Sequence, residues 1–122
     1  MTLIKIEFNE FSIEAELNDS KTANNIKKAL PISNTVNIWG DEIYFQIDVN
    51  DDEDNAKEIV ELGDVGFWPP GNAFCLFFGL TPLSQKDEIK PASPINVVGK
   101  LKGNLDSLKS IKIGEKVKVS LA

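Results

Sequence analysis

The chain has 122 residues, 42% of them hydrophobic and 26% charged, which suits a single folded domain over 1–122 rather than a disordered or fibrous protein. Its net charge of -6 sets 19 acidic residues against 13 basic ones, all of them lysines scattered among acids, which argues against nucleic acid as a partner. Histidine and arginine are absent, which excludes Ser-His-Asp, Cys-His and HExxH centres and any guanidinium clamp, and the lone Cys75 excludes an internal disulfide.

In "TLIKIEF" the apolar Ile4, Ile6 and Phe8 alternate, and after Asn9-Glu10 the segment "FSIEAEL" alternates again through Ile13, Ala15 and Leu17, which predicts a β-hairpin. Lys5 and Glu7 interrupt this opening run, and no run of about 18 apolar residues occurs anywhere, so neither a secretion signal nor a membrane span is read and the expected location is the cytoplasm. Asn18, Asp19 and Ser20 offer caps for "KTANNIKKAL", where Ala23, Ile26 and Leu30 recur at helical spacing until Pro31. From Val36 the chain turns extended. "VNIW", a Gly40-Asp41 turn and "EIYFQI" predict a second hairpin, with Ile43, Phe45 and Ile47 on one face and Glu42, Tyr44 and Gln46 on the other.

"DVNDDEDN" reads as a solvated acidic loop, "KEIVEL" as a short strand ending at Gly63-Asp64, and "AFCLFF" as a central strand covered on both faces. Residues 80 to 94 hold three prolines and little apolar pattern, a long surface loop of the kind that is functional or mobile. "INVVGKL" resumes as a strand. "NLDSLKSI" is a second short helix capped by Asn104, with Leu105, Leu108 and Ile111 inward, and "EKVKVSL" is the last strand. About eight short strands with Gly and Pro punctuation predict a mainly β fold, a closed barrel or sandwich with the two helices at its open ends.

Residues 63 to 79, "GDVGFWPPGNAFCLFFG", concentrate glycine, proline and aromatic residues. The stretch is either a corner feeding a buried strand, with Phe74, Phe77 and Phe78 as core, or the lip of a pocket. Pro70-Gly71 suits a type II turn, and Trp68, extended by the proline after it, needs a partner for its indole N–H. The Tyr44 face is either solvated or lines a groove, where an aromatic between a carboxylate and an amide could orient a ligand. Candidate ligand-binding residues are therefore Trp39, Glu42, Tyr44, Gln46 and Trp68. No catalytic residue and no cofactor is implied. Asp48, Asn50 and Asp52 sit at positions 1, 3 and 5 of a calcium loop, but Glu53 and Ile59 stand where its glycine and glutamate belong, so no metal site is expected. Nothing local pairs Glu42 with Asp64 as working carboxylates, and Cys75 between Phe74 and Leu76 reads as a small buried hydrophobe.

The motifs "VNIWGDEIYF", "VELGDVGFWPPGNAFCLFFG", "TPLS" and "IKPASPINVVGKL" resemble a small, atypical cyclophilin-like family of bacteria and archaea, over nearly the whole chain. The resemblance implies an eight-stranded barrel in the order hairpin, helix, five strands, helix, strand. It also implies an apolar proline pocket beside an arginine that steadies the twisting prolyl bond, and this chain has no arginine. The rotation barrier is about 18–20 kcal/mol, and one preplaced donor is worth on the order of 3 kcal/mol. The expectation is a non-catalytic or very weakly catalytic module binding a proline-containing or extended peptide or a small apolar ligand. The alternatives are a peptidyl-prolyl isomerase without the usual arginine, and a structural protein that oligomerises through Trp68 and the 80–94 loop.

Overall fold

In the computed structural model, which describes residues 1–122, the alternating apolar residues of the first hairpin close on one another. Strands β1 (Thr2–Glu7) and β2 (Ser12–Leu17) pair antiparallel, Ile4 opposite Ala15 and Ile6 opposite Ile13, and bury these four together with Leu17. Helix α1 (Lys21–Ala29) follows, its first turn capped by the Ser20 hydroxyl, which accepts from the Ala23 amide. The second hairpin forms as expected from β4 (Asn37–Trp39) and β5 (Glu42–Gln46). Near the C-terminus a 3-10 helix over Leu105–Ser110, capped by Asn104, precedes the last strand.

Nine strands rather than eight form one antiparallel sheet, in the order β3-β9-β1-β2-β8-β6-β7-β5-β4, where β6 is Asp64–Trp68, β7 Ala73–Phe77, β8 Asn96–Lys102 and β9 Lys116–Leu121. The sheet curls into a nearly closed barrel, and edge strand β3 reaches the end of β5, beyond the short edge strand β4, where the Asn34 side chain donates to the Gln46 carbonyl at 2.7 Å. The ninth strand is β3 (Ile32–Thr35), paired with β9 directly after Pro31. Only Ile32 of its four residues is buried, so no apolar alternation marks it.

Two further expectations are corrected. "KEIVEL" is not a strand. It makes two isolated bridges, Lys57 with Ile95 and Val60 with Ile89, because Val60 alone of its residues is buried. The strand lies just beyond, at Asp64–Trp68, where four of five residues are buried and no polar alternation distinguishes it from a corner. The turn that follows is a 3-10 turn over Pro69–Gly71, and the left-handed residue is Asn72 (φ 49), a conformation asparagine tolerates, rather than Gly71.

Strand β7 is buried along its whole length because two cores flank it. Phe74 and Leu76 point into the barrel with Ile4, Phe45 and Phe67, and α1 and the 3-10 helix turn Ile26 and Leu108 into the same core. Ala73, Cys75 and Phe77 point outward into a second, smaller core completed by Val60, Ile89 and Ile95. The loops carrying these three are fastened down. Asn96, 2% exposed, donates to the Asp52 carbonyl and the Thr22 hydroxyl and accepts from the Asp54 amide. The Thr81 hydroxyl donates to the Lys90 carbonyl, and the Ser84 hydroxyl accepts from the Thr81 and Lys90 amides at 3.0 Å each. The long loop after β7 is thus held against the sheet.

Gly66 marks the tightest approach of that cover. A Cβ at this position would stand 2.2 Å from Ile95 Cγ2, a branched atom with little room to yield. Gly66→Ala should lower the unfolding free energy by about 1–3 kcal/mol. Paired with Ile95→Ala in urea unfolding, it should cost less than the sum of the single changes. Strict additivity would show that the two residues do not meet.

Candidate functional site

The outer face of β4, β5, β7 and β6 assembles the site. Trp39 pairs with Glu42 across the hairpin, and Glu42 and Tyr44, two residues apart, share a face. Tyr44 lies opposite Cys75, Cys75 opposite Gly66, and Trp68 stands two residues beyond Gly66 on the same face. Ile95 fills the space above Gly66, and with Pro91 and Ala92 it forms the opposite wall. The result is a pocket of about 230 Å³ lined by Trp39, Glu42, Tyr44, Trp68 and those three loop residues.

Trp68 is held at both ends. Its ring lies against Gly71, where a Cβ would come within 2.7 Å of Cε3 and Cζ3, and its indole N–H donates to the Ser93 hydroxyl at 2.6 Å. The partner its half-buried N–H takes comes from the long loop, so Trp68 and that loop meet within one chain and build a wall of the pocket.

Glu42 is 6% exposed, and none of the chain's ion pairs includes it. Burial pushes its carboxyl up to about 7 from an ordinary 4.5, and the neighbouring Cys75 thiol, a weak donor, offsets little of this. Cys75 is itself buried. Its thiol is driven well above the usual range, first by burial and then by Glu42, which leaves it without nucleophilic character at neutral pH.

Four of the five residues singled out from sequence thus converge on one pocket. Gln46 does not join them: it sits exposed at the end of β5, where its backbone carbonyl takes the Asn34 hydrogen bond, beside a separate concavity shared with Pro31 and Ile32. Pro91, Ala92, Ser93 and Ile95 escaped sequence reasoning because a proline-rich loop carries no periodicity to show which residues turn inward. Asp64 is not a partner for Glu42. Strand β7 runs between them, two strand spacings or about 10 Å across the sheet, and Asp64 instead accepts from Lys100 at 3.0 Å and from the Glu61 amide at 2.8 Å. The acidic loop does not gather its side chains either. Asp48 lines a different concavity from Asn50 and Asp52, and Asp51 and Asn50 accept from Asn25 and Asn72.

The raised Glu42 carboxyl has a consequence for stability. The folded protein favours the protonated form, so this group's contribution is complete below about pH 4.5 and is lost as pH rises to about 7. The loss is on the order of 3 kcal/mol. Unfolding in urea at a series of pH values should show Glu42→Gln gaining on the parent protein across that window and running parallel to it above pH 8. A difference independent of pH would contradict the assignment.

A family model described as "Cyclophilin-like" matches residues 2–120. The solution structure of a hypothetical protein from Archaeoglobus fulgidus superposes with a TM-score of 0.85 at 44% identity, covering 99% of this chain and 95% of that one. McbB in complex with tryptophan superposes with a TM-score of 0.71 at 14% identity, covering 97% of this chain and 44% of that one, a likeness of fold alone. No curated protein matches the chain. With the barrel described and the family model spanning nearly its full length, the chain belongs to the cyclophilin-like family.

Proposed function

We propose that this protein is a cytoplasmic binding module. It takes a small ligand, or one side chain of an extended or proline-containing peptide, into the pocket of Trp39, Glu42, Tyr44 and Trp68, with prolyl isomerisation absent or feeble. The observation that carries this reading is the convergence of three aromatic residues and one buried carboxyl on a single, otherwise apolar pocket. At about 230 Å³ the pocket is smaller than the roughly 300–1,000 Å³ of sites for drug-sized ligands, which favours one inserted group over a long one. Against catalysis stands the donor inventory: the chain has no arginine, and the Trp68 N–H is already committed to Ser93.

A second reading, an isomerase that works without the arginine, draws support from one feature. Glu42 keeps its proton to about pH 7 and so has an O–H to offer a twisting prolyl nitrogen.

The chain's two tryptophans both line the pocket, so intrinsic fluorescence reports on it directly. Titration with a panel of short peptides and small ring compounds should give at least one saturable change that Trp68→Ala abolishes, and a flat response across the panel would overturn the binding reading. In a proline-peptide isomerisation assay the expected rate is the uncatalysed one. Turnover above background that disappears in Glu42→Gln would select the second reading instead.

A further inference from the structure

Glu42 is a buried carboxyl with no cationic side chain beside it. Its side chain is more than nine-tenths buried, it opens onto the pocket, and no lysine reaches it, although the chain has thirteen. A buried carboxyl without a counter-charge holds its proton to higher pH, and in its ionised form it costs several kcal/mol of solvation unless a cation joins it. Around it stand Trp39 and Tyr44 from the β4–β5 hairpin and Trp68 from β6, whose ring faces carry the negative end of the aromatic quadrupole.

We infer that the pocket is an aromatic box for an organic cation, and that the group it takes is an alkylated ammonium, quaternary or tertiary, with Glu42 as the counter-ion. This inference rests on the binding reading above and specifies the ligand class for the same pocket. Alkylation is required by the lining. A bare ammonium carries three N–H donors and gives up strongly held water, and here the side-chain acceptors it would meet are one carboxyl and one phenol in a mainly apolar lining. An alkylated ammonium spreads its charge over methyl or methylene groups, has little hydration to lose, and makes apolar contact with Ile95 and Pro91 while its charge faces the rings and Glu42. The volume of about 230 Å³ admits such a headgroup and little more. The net charge of -6 favours the approach of cations from solution.

The test uses the full chain and a matched pair of probes, choline and its uncharged carbon isostere 3,3-dimethylbutan-1-ol. Both are followed by tryptophan fluorescence at pH 8 and constant ionic strength, where Glu42 is ionised. Choline should bind at least about tenfold more tightly than the alcohol, as expected for cation–π and ionic contact added to equal shape. Glu42→Gln should shrink that preference to about twofold or less. Equal binding of both probes by the parent protein would overturn the cation inference and leave the binding reading intact. Failure of choline to bind while other compounds of the panel do would have the same meaning. Failure of every compound would remove both.

Discussion

The double-sided burial of β7 is the constraint from which the rest of this molecule follows. A barrel strand ordinarily shows one face to the core and one to water, but "AFCLF" offers no polar face at all. Phe74 and Leu76 satisfy the barrel, which leaves Cys75 and Phe77 to be covered from outside. Fully burying a residue of the size of Phe77 stabilises by about 1.5–3 kcal/mol, and that gain is available only if loops lie over the sheet. The segments before β6 and after β7 do so with Val60, Ile89 and Ile95, held in place by Asn96, Thr81 and Ser84. Where this cover meets the β4–β5 hairpin the fit is incomplete, and the gap is the pocket.

Seen this way, the pocket is a by-product of roofing a sheet, and its chemistry depends on what the uncovered margin of β5 presents. It presents Glu42. A buried carboxyl that has gained no cation, and only the weak Cys75 thiol as donor, opposes folding at neutral pH, while the other strongly buried polar side chains have full hydrogen-bond partners. Asp64 makes the contrast plain: equally buried and on the same sheet, it has Lys100 and a backbone amide. One carboxylate is a structural tie and the other a destabilising element, and unfavourable groups of this kind concentrate where a ligand supplies what the fold does not.

The parts of the architecture legible from residues alone were those where a local signal was strong. The two hairpins announced themselves by alternation and by the Gly40-Asp41 turn, α1 by Ser20 and the spacing of Ala23 and Ile26, and the 3-10 helix by Asn104. Two strands escaped because their burial is lopsided in opposite senses: β3 buries one residue in four, and β6 buries four in five. Tyr44 stood out as an aromatic on the face opposite Ile43, Trp39 by its place before the turn and Trp68 by an indole N–H that needs a partner, and Glu42 came with Tyr44 by period two. The same period brought in Gln46, one step too far along the strand, because alternation assigns a face but not the point at which the cover ends.

The sequence by itself determined which residues alternate, where helices begin, and that no histidine or arginine chemistry is available, since each is a property of a few neighbouring residues or of composition. Only the tertiary structure decided that Ile95 sits over Gly66, that Ser93 holds the Trp68 indole, that Asp64 rather than Glu42 receives Lys100, and that Gln46 lies outside the pocket. The hydrogen bonds among them join residues 25 to 36 positions apart. They depend on sheet order and on how long loops fold back, which side-chain periodicity within a single element does not encode.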